Sequence, residues 1–164
     1  MPKEVMRRQA SDNEYLHKDF HGALSCALIY LEENFGPDAV RDYLRTFARR
    51  YYAPVSEDLQ ERGLQAMADR LRRIYDIEGG EVEITLSDDE MMVRVEACPA
   101  VTHMRENDYP VSPMWRETIR CVHEAICEGT AFDFDLMDFD KRTGASTQRF
   151  YRREGAASPE EGSA

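Results

Sequence analysis

A chain of 164 residues favours a single domain, and at that size folding hides roughly 70% of the surface the unfolded chain exposes. Apolar residues make up 42% and charged residues 32%, which excludes the composition of a disordered chain. Asp and Glu number 32 against 21 Lys and Arg, so the net charge of -11 disfavours nucleic acid and anionic membrane surfaces as partners.

The first 13 residues are charged and polar, and read as a flexible arm rather than a signal segment. No run approaches the ~18 apolar residues of a membrane helix. A cytoplasmic setting is therefore expected, with Cys26, Cys98, Cys121 and Cys127 as reduced thiols. Their spacing contains no paired Cys-x-x-Cys knuckles of a zinc ribbon.

Between Tyr15 and Phe35, apolar residues fall at Leu16, Phe20, Ala23, Leu24, Ala27, Leu28, Leu31 and Phe35, which is helical spacing. Gly36-Pro37 ends that helix and starts another, through Val40, Tyr43, Leu44, Phe47 and Ala48 to about Tyr52. Tyr43, Phe47, Tyr51 and Tyr52 read as core rather than as a cofactor box. Ser56 with Glu57 and Asp58 caps a third helix, which carries Leu59, Leu64, Met67, Leu71, Ile74 and Tyr75 and is weakened at Gly63.

Gly79-Gly80 closes the helical half, and the hydrophobic period then changes to two. Val82, Ile84 and Leu86 form one strand, and Met91, Val93, Val95 and Ala97 its hairpin partner. Residues 100–113 read mostly as loop. A fourth helix is predicted from about Met114 to Glu128, with Trp115, Ile119, Val122 and Ile126 on one face. Phe132 and Phe134 begin a strand whose alternation slips at Leu136-Met137, which predicts a β-bulge. A turn at residues 141–144 leads to a last strand from Ser146 to Arg152, and residues 154–164 read as a disordered tail. The domain is thus residues 14–153. Its expected class is α+β, with N-terminal helices on a four-stranded antiparallel sheet of order hairpin, helix, hairpin.

The pair His17 and His21 is four residues apart, so both imidazoles face the same way on a helix. By helical projection His17 falls inside the apolar arc and His21 at its margin. A paired-histidine site suits a divalent metal, although Lys18 stands where a metalloprotease pattern needs Glu. Two boundary histidines bonded locally are the alternative. Cys98-Pro99 and His103 sit after a strand, where a thiolate next to a histidine can be nucleophile or metal ligand. A buried structural thiol and a surface histidine are the alternative there.

On the fourth helix His123 lies at the margin of the apolar face, Cys127 points mostly away and Glu124 faces solvent. His123 and Cys127 have metal-like spacing but lack a third ligand. Asp133, Asp135, Asp138 and Asp140 lack the loop pattern of an EF-hand and read as a solvated strand face.

The paired histidines, Cys98-Pro99 after a strand, Glu128-Gly129 after a helix and the closing run Gly144 to Phe150 resemble the bacterial family of L-2-amino-thiazoline-4-carboxylic acid hydrolases. The likeness spans roughly Tyr15 to Arg153. Family members carry Cys four residues after that Gly, and here the position is Gln148. The same closing pattern is similar to 4-vinyl-reductase-type small-molecule-binding domains.

The resemblance implies hydrolytic opening of a C–N bond in a small heterocyclic or amide-like substrate. It implies a divalent metal, Zn or Mn, on His17 and His21 with Cys98 or His103 adding a ligand. His103 or His123 would then serve as acid or base, with Cys98 in the catalytic set. The competing readings are a non-catalytic small-molecule- or metal-binding module or accessory subunit, and a protein-interaction adaptor. Each leaves room for a homo-oligomer. Any active site is expected where the helical and sheet halves meet.

Overall fold

The computed structural model describes residues 18–156. The expected arm, His17 and the tail beyond Ala156 lie outside the described residues. Four helices come first: α1 (Asp19–Phe35), α2 (Pro37–Tyr51), α3 (Ala53–Arg62) and α4 (Leu64–Glu78). A hairpin of β1 (Glu83–Leu86) and β2 (Glu90–Val95) follows. Then come α5 (Pro99–Glu106), α6 (Glu117–Cys127), and a second hairpin of β3 (Phe132–Phe139) and β4 (Ser146–Arg152).

The four strands form one antiparallel sheet in the order β1-β2-β4-β3, so the two hairpins join through β2 and β4. Met91 faces Phe150 and Val93 faces Gln148 across that central seam. The register slips between Leu136 and Asp138, where the sequence placed a bulge. The α+β class and the four-stranded sheet are as expected from the change of period.

Several local expectations are corrected. The single helix expected across Gly63 is two helices, because Gly63 takes φ 67° and turns the chain. The segment read as loop contains α5, started by Pro99 at its first turn. The helix expected from Met114 begins at Glu117, after turns closed by Trp115 N–H to Ser112 and Glu117 N–H to Met114.

Phe20 and Phe35, placed in the apolar stripe of α1, are 60% and 66% exposed. Tyr43 and Phe47 are also exposed, and Phe47 stacks on Tyr51 at 5.1 Å between ring centres rather than entering the core. The core face of α2 is Val40, Leu44 and Ala48 instead. Cys127, expected to point away, is fully buried, and Glu124 is half-buried against Arg45.

The core is one cluster. It runs from Leu28, Leu44, Leu59 and Met67 of the helices through Val101 and Met104 of α5 and Ile126 of α6. It ends on Met91, Val93, Val95, Phe134 and Phe150 of the sheet. Ser25, fully buried on α1, donates to Pro110 O at 2.6 Å and accepts from Ser112 N–H at 2.8 Å. That hydroxyl straps the loop ahead of α6 to α1, and so places Trp115.

Candidate functional site

The period of α4 explains how a carboxylate reaches the interior. Leu71, Ile74, Tyr75 and Glu78 are three or four residues apart and share one face. Glu78 is therefore carried under α1, where it meets His21 at 3.0 Å, with side chains only 10% and 13% exposed. Trp115 approaches the His21 ring edge-on at 6.3 Å between centres. A carboxylate fixed on one ring nitrogen sets the orientation and tautomer of the imidazole.

Cys98 stands at the N-cap of α5 with extended backbone, within electrostatic reach of Glu78. Burial raises its thiol pKa above the ordinary value, and Glu78 adds to the rise. The N–H groups of Val101 and Ala100 and the Trp115 side chain oppose it, each favouring a thiolate. Tyr75 lies within electrostatic reach of both Cys98 and Glu78, and burial holds its hydroxyl protonated. The sulfur is thus a buried thiol that the N–H groups at the start of α5 and the Trp115 side chain favour as a thiolate, while burial and the Glu78 charge oppose it.

The turn before β4 supports that arrangement. Cys98 N–H donates to Thr143 O at 2.9 Å. Gly144, at φ 69°, leaves no room for a side chain, because a Cβ there would lie 2.5 Å from Cys98 Cβ.

His103 lies apart. Its Nε2 pairs with Asp19 at 3.0 Å near the surface, with Tyr109 against the ring. His123 occupies a third place, deep under α6 between Phe134 and Phe150, at 5.0 and 5.2 Å between ring centres. The residue is half-buried overall, but its Nδ1 is sealed and has no hydrogen-bond partner among the described residues, and the same holds for Gln148 Oε1. Gln148 lies close enough to favour a proton on the ring, yet is poorly aligned for a hydrogen bond. Burial, with the Arg70 charge nearby, lowers the His123 pKa to about 3, so the ring is neutral near pH 7.

That shift gives a measurable consequence. The unfolded chain takes up the proton first, so stability falls as pH drops from about 6.5 towards about 3. The limiting slope is roughly 1.4 kcal/mol per pH unit from this residue. His123→Gln should flatten the acid limb of stability measured by urea denaturation. An acid limb as steep in the variant would refute the assignment.

The metal expectation rests on His17, His21, Cys98 and His103. His17 is outside the described residues. Among the described residues no three His, Cys, Asp or Glu side chains gather closely enough to hold a metal ion. His21 Nε2 faces Glu78 and His103 Nε2 faces Asp19, so the described donors do not fit a shared metal. His21 instead contacts Glu78 and Trp115, Cys98 lies within electrostatic reach of Glu78 and Tyr75, and His103 and His123 have separate surroundings.

Sequence reasoning missed Glu78, Tyr75, Trp115 and Gln148 as site residues. A signal existed for two of them: Glu78 continues the apolar stripe of α4, and Gln148 shares the inward parity of Ser146 and Phe150 on β4. Trp115 reads only as a core anchor, because its neighbours come from α1 and α5. No family model matches this chain, and no curated protein matches it.

Proposed function

We propose that this protein is a hydrolase that opens a C–N bond of a small heterocyclic or amide-like substrate, with Cys98 as nucleophile. The observation that carries the reading is the nearly buried His21–Glu78 pair, 3.0 Å apart, whose carboxylate is within electrostatic reach of a thiol at the N-terminus of α5. In this reading His21, oriented by Glu78, is the acid–base group, and Trp115 packs edge-on against its ring. The N–H groups at the start of α5 favour negative charge on sulfur. The resemblance to L-2-amino-thiazoline-4-carboxylic acid hydrolases supports the same reaction class. The chemistry needs a nucleophile and a group that protonates the leaving nitrogen, the roles this reading gives to Cys98 and His21.

Cys98→Ala should abolish amide hydrolysis, and His21→Ala should lower kcat by at least about tenfold with little change in KM. Full activity in Cys98→Ala ends the proposal. Metal analysis of untagged protein belongs in the same experiment. One equivalent of bound zinc or manganese, with activity lost on chelation, would replace the thiol mechanism by the metal-assisted one.

A second reading is a small-molecule-binding module. It is favoured by the raised thiol pKa and by two unpartnered polar atoms, on His123 and Gln148, set among aromatic rings. Cys98-dependent turnover separates the two readings.

A further inference from the structure

Helix α1 is apolar on both sides. No Asp, Glu, Lys or Arg occurs from Phe20 to Leu31, in a chain with 32% charged residues. Gly22, Ser25 and Leu28 face the interior. Ala23, Cys26, Ala27 and Tyr30 are exposed on the opposite side. A helix that is apolar all round belongs in an interior, so its outward face calls for a cover. The thiol says the same. Free cysteine is among the most buried residue types, yet Cys26 is exposed, alone of the four cysteines.

Ala23, Ala27 and Tyr30 step by four and then three residues, the spacing of a seam that pairs helices. Phe35, 66% exposed, packs edge-on to Tyr30 at 6.3 Å between ring centres and widens the seam at its C-terminal end. The exposed aromatics of α2 differ. Phe47 stacks on both Tyr43 and Tyr51, and Asp42, Arg49 and Arg50 lie exposed on the same helix. That helix brings its own charges to water, whereas the outward face of α1 has none over three turns.

We infer that this face of α1 is the contact of a homodimer, with two copies of α1 antiparallel about a two-fold axis between Cys26 and Ala27. Shape selects a second copy. The seam is small at Ala23 and large at Tyr30, two turns or about 10 Å further on. Antiparallel pairing about that axis sets Tyr30 of each copy against Ala23 of the other and brings the two Cys26 thiols close to the axis. A two-fold contact requires this kind of self-complementarity. Charge agrees. Two chains of net charge -11 repel each other, so they can meet closely only where charge is absent. Area sets the strength. Tyr30 and Phe35 are 60% and 66% exposed, so four such rings bring roughly 400–600 Å² to the dimer, up to about half of the ~1,200 Å² where stable interfaces begin. A reversible dimer with micromolar dissociation follows, tighter at high salt, which screens the repulsion.

Sedimentation equilibrium of the full chain, from low micromolar to submillimolar concentration, tests this. A monomer–dimer equilibrium is expected, weakened at least about tenfold by Ala27→Arg, which buries an unpaired charge, and by Tyr30→Ala, which removes the large side chain. Both positions are exposed, and unchanged melting by circular dichroism shows that each variant folds. A short bismaleimide should trap a covalent dimer that Cys26→Ser and Ala27→Arg both abolish. A monomer at every concentration overturns the inference, as does a dimer indifferent to both Ala27→Arg and Tyr30→Ala. A dimer lost in Phe47→Ala but kept in Ala27→Arg would place the contact on α2 and overturn it equally.

Discussion

Gly144→Ala should destabilise the protein by about 3 kcal/mol and lower Tm by roughly 10 °C, the figures set by overpacking plus a left-handed backbone penalty. The residue is buried at φ 69°, and an added methyl would sit 2.5 Å from Cys98 Cβ and 2.8 Å from Val101 Cγ2. Neither neighbour can retreat easily. Val101 is 1% exposed in the core, and Cys98 is held by its N–H bond to Thr143 O. Gly144 N–H is itself committed to Asp140 O at 2.7 Å, so the turn cannot swing outwards without losing that bond. Calorimetry reads the shift directly. Alkylation of the thiol reads the second consequence, because displacement of the turn should move Cys98 off the α5 terminus and change its reactivity. A variant that melts within about 2 °C of the parent would show that the turn relaxes freely.

Phe150→Ala should cost about 3–5 kcal/mol by denaturant titration, the range for truncating a buried aromatic. Phe150 is 0% exposed on the central strand β4 and is the largest of the fully buried side chains. It faces Met91 across the β2–β4 seam, packs on Phe134 at 4.7 Å between ring centres, and supports the ring of His123. Three elements therefore lose a neighbour at once. The void would open beside the unpartnered Gln148 Oε1 and His123 Nδ1, so water could enter and offset part of the loss. A loss below about 1 kcal/mol would mean that the layer between α6 and the sheet collapses to fill the space.

The strands were legible because residues 82–97 and 132–152 alternate at period two, and a half-buried strand allows no other pattern. The bulge was legible for the same reason: Asp138 takes the parity that Phe134 had. The break at Gly63 was only half legible. A glycine inside a helical pattern is compatible with a weak helix or with a positive-φ corner, and only packing decides between them. Phe20, Tyr43 and Phe47 misled because periodicity marks which residues share a helix face, not whether another element covers that face.

At the site, His21 and Cys98 were legible from residue type and from their place at the seam. Glu78 was not singled out, since a lone carboxylate at a helix end reads as solvated. Its burial depends on α1, whose contact with α4 at His21 and Glu78 joins residues 57 apart. Long-range pairings of this kind leave no trace in local spacing.

The central pairing of β2 with β4 has a consequence for the newborn chain. Cys98 obtains its Thr143 hydrogen bond, and the space granted by Gly144, only from a hairpin made more than 40 residues later. At synthesis rates of about 5–20 residues per second, several seconds pass with helices α1 to α5 available and the thiol unsupported. The sulfur is then not yet enclosed by the seam. Until the last hairpin docks, this thiol lacks the Thr143 hydrogen bond to its backbone and the close packing of Gly144. The ribosome thus completes the scaffold of the site first and its closure last.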